Sequence, residues 1–77
     1  MNYQDWKNHV KGLLKSELAK RTINYTQLAE ILKEKLEVVE TPQNISNKIA
    51  RGIFGAIFMI QILEAIGCEE LKLEPLR

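Results

Sequence analysis

Apolar side chains recur every three or four positions along nearly all of this 77-residue chain. That spacing collects them on one face of a helix but scatters them over both faces of a strand. The chain is thereby restricted to packed helices, expected at about 4–21, 25–36, 42–51 and 56–66, with a short extended tail at 68–77. In the first, Trp6, Val10, Leu13, Leu14 and Leu18 form a stripe that should face a core, with Lys7, Lys11, Lys15 and Lys20 away from it. The second has the clearest start: Asn24 is a cap whose partner is Gln27, and Ile23 and Leu28 are spaced for a hydrophobic staple. Leu28, Ala29, Ile31, Leu32 and Leu36 then turn inward, and Val38 and Val39 in the following connection are expected to plug the core.

The third helix opens on Thr41 as cap with Pro42 at the first helical position, and closes on Arg51 and Gly52. Between those ends only Ile45 and Ile49 are large and apolar. The fourth runs from Gly55, a poor cap, to Gly67, with only Gln61 and Glu64 polar inside it. It is too short for the roughly 20 residues a membrane span needs, so it reads as a central core helix.

A chain of 77 residues with 45% hydrophobic and 27% charged side chains should fold as one domain, 1–77, with neither a linker nor a repeat. The lone Cys68 excludes an internal disulfide and fits a reducing compartment. No signal peptide is visible at the N-terminus, so a cytoplasmic location is expected. The net charge of +1 hides an uneven distribution. Residues 1–24 carry five cations and two acids, residues 41–52 two cations and no acid, and the segments 25–40 and 53–77 two cations and four acids each. Positive potential therefore concentrates on the first and third helices.

The segment Asn24-Tyr25-Thr26-Gln27-Leu28-Ala29-Glu30-Ile31-Leu32, then Asn47-Lys48-Ile49-Ala50-Arg51-Gly52 and an apolar helix ending in Ala65-Ile66-Gly67, resembles the Cro/repressor type of helix-turn-helix domain. In that family a capped scaffold helix bears a Leu-Ala pair and the next helix ends in Ile-x-Arg-Gly. The chain is also similar, over nearly its whole length, to a small uncharacterised group of bacterial domains with an Arg-Gly-x-Phe segment, here Arg51-Gly52-Ile53-Phe54. The first resemblance implies an all-α, compact four-helix, lambda-repressor-like helix-turn-helix bundle with DNA-binding, transcriptional-regulator-like function. Its reading element would be the helix at 42–51. The sequence departs from the family where a turn glycine usually stands: Lys33 occupies that place, and the chain runs on for a helical turn and a longer loop before Pro42.

On the DNA reading, amides can pair bidentately with adenine edges and cations with guanine edges or phosphates. Gln43, Asn44 and Asn47 are then the base-reading candidates, Ser46 a contact to base or backbone, and Lys48 and Arg51 phosphate contacts. Lys20 and Arg21 at the end of the first helix would add backbone contacts. The competing reading is a polar face that is merely solvated.

Other conspicuous residues have structural explanations. His9 is the only histidine and has no carboxylate or cysteine cluster around it, so no metal or catalytic role is assigned to it. Cys68 lies beside Glu69 and Glu70, surroundings that do not activate a thiol. Trp6, Tyr25, Phe54 and Phe58 fall on or beside apolar stripes and are expected at the core or its edge. No phosphate-cradling loop, catalytic triad or buried carboxylate pair is legible, so no enzyme activity, cofactor or small-molecule substrate is expected.

The fourth helix has more apolar surface than one small domain needs to bury. Ile57 and Ile60 flank its polar edge, and with Leu71, Leu73 and Leu76 they could form an apolar patch. Two outcomes stay open: the patch closes a two-fold homodimer, which would pair two DNA-reading helices, or the tail folds over it. The alternative to DNA binding is a helical protein-interaction module that docks through the helix at 56–66 and the tail, with no nucleic acid bound.

Overall fold

A computed structural model describes residues 2–73. Its elements are α1 (Tyr3–Lys20), α2 (Tyr25–Leu36), α3 (Pro42–Arg51) and α4 (Ala56–Ala65), with no strand among the described residues. α2 packs against both α3 and α4, and α1 packs against α3. The fully buried side chains Leu14, Leu28, Leu32, Ile45, Ile49 and Ile62 draw on all four helices, so each helix supplies part of one core.

The helix ends explain the boundaries. α1 begins one residue earlier than its apolar pattern implies, because Asn2 caps it. The Asn2 side-chain oxygen accepts from the Asp5 amide at 2.9 Å, and the Asp5 carboxylate accepts from the Asn2 amide at 3.1 Å. The box foreseen at α2 is present: Asn24 accepts from the Gln27 amide at 2.8 Å, and Gln27 accepts from the Asn24 amide at 2.9 Å. Thr41 Oγ1 accepts from the Asn44 amide at 3.0 Å with Pro42 at the first turn of α3, while Gly55 gives α4 no side-chain cap.

At its other end α4 stops at Ala65, where the Gly67 amide donates to Glu64 and the Cys68 amide to Leu63, with Gly67 left-handed at φ 76°. The same pairing closes α1 through Thr22 to Ala19 and Ile23 to Leu18, with Thr22 left-handed at φ 55° where glycine is the usual occupant.

Two expectations of burial fail for geometric reasons. Trp6 remains 50% exposed and Tyr3 is exposed beside it: the end of α3 meets α1 at Lys7 and Lys11, through Gly52, and the buried core on α1 begins only at Leu14. Val38 packs at the core edge, its amide reaching back to the Leu32 carbonyl at 3.1 Å, but Val39 is 80% exposed. Successive side chains point to opposite sides in such an extended connection, so both valines could not enter the core.

Candidate nucleic-acid interface

Ile45 and Ile49 are fully buried and pin α3 by one side, which fixes what its other side presents. Gln43, Asn44, Asn47 and Arg51 are exposed, and Ser46 and Lys48 are half-buried on the flanks. Gln43 Nε2 donates to Asn47 Oδ1 at 3.0 Å, one turn along, so the two amides are held in register. Within α3 itself there is no carboxylate.

The free positive charge is smaller than the segment count suggests. Glu40, just before the cap, folds back onto Lys48, whose Nζ lies 3.0 and 3.1 Å from its two carboxylate oxygens. The same ammonium sits 4.6 Å from the Phe58 ring centroid. Lys48 therefore ties the α2–α3 connection to α4 and is spoken for by an acid and a ring. Lys20 and Arg21 are likewise occupied: Glu17 accepts from Lys20 Nζ at 2.9 Å and from Arg21 Nη1 at 2.9 Å. The Glu17 side chain is only 10% exposed, and the Cys68 thiol approaches it at 3.6 Å. Hydrogen bonds from Lys20 first and Arg21 second hold its carboxyl down to about 2 from an ordinary 4.5. Arg51 is the cation of the sequence-derived set that makes no ion pair among the described residues.

The sequence alone does not point to Glu17 or Glu40. Glu17 does stand three and four residues before Lys20 and Arg21, a pairing distance on a helix. The contact from Glu40 to Lys48 spans eight residues and a chain reversal, and has no such signature.

Along α4 the chemistry changes: Ile57 is 76% exposed and Ile60 is 55% exposed. Leu73 is exposed as well, but Leu71 packs against the core, and Leu76 lies outside the described residues. The tail thus covers part of the core edge while α4 keeps an uncovered aliphatic side. Phe58 is buried, Phe54 and Tyr25 are half-buried against the core, and Cys68 packs there too. His9 stands edge-on to Trp6 with ring centroids 6.2 Å apart. Among the described residues no group of acids, histidines and cysteine is placed to hold a metal, and no helix is long and apolar enough to cross a membrane.

Comparison with curated proteins and with solved structures returns no match. Residues 6–71, from the first turn of α1 to the leucine packed at the core edge, match the family described as "Domain of unknown function (DUF6471)", and the chain belongs to that family.

Proposed function

We propose that this domain binds DNA in a helix-turn-helix manner, with α3 as the reading element. The observation that carries the reading is the outward face of α3: Gln43, Asn44, Asn47 and Arg51 exposed together, without an acid, on a helix anchored by two fully buried isoleucines. Asn and Gln suit adenine edges, and Arg51 suits a phosphate or a guanine. Lys48, Lys20 and Arg21 would reach phosphate only in competition with Glu40 and Glu17. Ser46, half-buried, is a flank contact.

The test is fluorescence anisotropy of a labelled random duplex at several salt concentrations. Binding should weaken steeply with salt, and Arg51→Ala should lower the logarithmic slope by about 0.9, since one phosphate is then no longer neutralised. Arg51 is the better probe than Lys48, whose truncation also removes the ammonium from the Phe58 ring. On a selected sequence, Asn47→Ala should cost ~1–3 kcal/mol, and little on other sequences. Absence of binding at ~50 mM salt, where non-specific contacts are strong, defeats the reading.

A second reading is favoured by the exposure of Ile57, Ile60 and Leu73: a helical interaction module that meets another protein, or a second copy of itself, through α4. Under it, Ile57→Asp abolishes association and Arg51→Ala leaves it intact. A two-fold pair that sets two copies of α3 for a palindromic site belongs to the DNA reading, whereas the interaction module binds no nucleic acid, so duplex binding separates the two.

A further inference from the structure

Gly52 marks where α1 crosses the end of α3. It is left-handed at φ +65°, and a Cβ there would lie 2.8 Å from the Lys7 carbonyl oxygen, 3.0 Å from Lys7 Cβ and 3.1 Å from Lys11 Cδ. The chain after Arg51 is thus pressed against two lysines from the first half of α1. Lys7 and Lys11 are half-buried, their stems packed at the crossing, while Arg51 and Lys15 are exposed. None of the four makes an ion pair among the described residues, in contrast to Lys20, Arg21 and Lys48. The Lys7 ammonium rests 5.3 Å from the centroid of the exposed Tyr3 ring, a contact that leaves its charge uncompensated. Asp5, the acid on this half of α1, is engaged by the Asn2 amide in the cap.

Lys7, Lys11 and Lys15 follow one another at intervals of four residues, ~6 Å apart along the axis, and so form a line rather than a cup. The carboxyl end of α3 carries a partial negative charge that one cation near it would balance. A row of three lysines joined by Arg51 exceeds that need. A row of uncompensated cations beside a polar helix matches a linear polyanion better than a single small anion.

We infer that Lys7, Lys11 and Arg51, extended by Lys15, form a phosphodiester-binding ridge at the α1–α3 crossing. This ridge grips the backbone of the strand next to the groove that α3 enters. The inference rests on the DNA reading and adds to it Lys7, Lys11 and Lys15, which the sequence places away from the core stripe of the first helix without a contact of their own. Lys7 and Lys11 are here the principal backbone contacts, ahead of Lys20 and Arg21, which Glu17 holds.

The experiment compares salt titrations of duplex binding for the wild-type chain, the Lys7→Gln/Lys11→Gln variant and the charge-preserving Lys7→Arg/Lys11→Arg variant, with helicity checked by circular dichroism. The glutamine pair should lower the logarithmic salt slope by about 1.8, two phosphates at about 0.9 each, while the arginine pair keeps the wild-type slope. Wild-type binding with an unchanged slope in a folded glutamine variant overturns the ridge and leaves α3 as the interface. Loss of binding in the arginine pair as well assigns the lysines to holding α3 in place and also overturns the ridge. A wild-type chain that binds no duplex removes the ridge together with the reading on which it rests.

Discussion

α3 and α4 are both ten residues long, and both sit next to glycine, yet they turn opposite chemistry outward. α3 buries Ile45 and Ile49 and presents amides and Arg51; α4 buries Phe58, Ile62 and Leu63 and still presents Ile57 and Ile60. The contrast separates two meanings of a hydrophobic residue. In α3 every large aliphatic side chain is structural, so its pattern alone tells what is core. In α4 aliphatic residues lie on all sides, and only the packing of α2 against one of those sides decides which are core.

The sharpest test of that contrast is truncation. Ile49→Ala should cost ~2–5 kcal/mol, a large share of the stability of so small a domain. Ile60→Ala should stay within about 0.5 kcal/mol. Urea denaturation of both variants measures the difference, and an Ile60→Ala cost that grows with protein concentration would break the contrast by showing that another copy covers α4.

The glycines differ in the same way. Gly52→Ala imposes a left-handed alanine against the Lys7 carbonyl and should lower stability by about 2 kcal/mol, visible as a drop in thermal midpoint. Gly55 has an ordinary extended backbone at φ −71° with nothing within 4 Å of an added Cβ. Gly55→Ser should cap α4 and raise stability by a few tenths of a kcal/mol in the same melt. A decrease there instead would mean that the first turn of α4 is constrained by something other than its own cap.

What was legible in the sequence was local. The caps at Asn24 and Thr41, the stop at Gly52 and the inward faces of α2 and α3 depend on residues within one or two turns of each other, and all are present. The second element runs to Leu36 with Lys33 inside it, so the five residues 37–41 join α2 to α3, as the missing turn glycine implied. What was not legible depended on distant parts. Trp6 lies on the apolar stripe, but where the other helices meet α1, at Lys7 and Lys11 through Gly52 and at the buried Leu14 and Leu18, is decided by distant residues. In the sequence Lys48 is a cation open to a ligand, because neither Glu40 nor Phe58 is its neighbour on a helical wheel. Gly52 was legible as a helix stop, while its closeness to Lys7 was not, since 45 residues separate the two in the chain.

The carboxyl of Glu17 makes folding a proton-linked equilibrium. Its group titrates near 4.5 in an ordinary setting and at about 2 in the folded domain, so unfolding between those values takes up a proton. The stability this contributes is fully present above about pH 4.5 and drains away as the pH falls through 2. Urea midpoints followed from pH 6 downward should decline in the wild-type chain, and Glu17→Gln should be weaker at neutral pH and flatter across the acid range. The same proton releases Lys20 and Arg21, so near neutral pH a phosphate meets these two cations only in competition with Glu17, and that competition fades as the carboxyl is protonated.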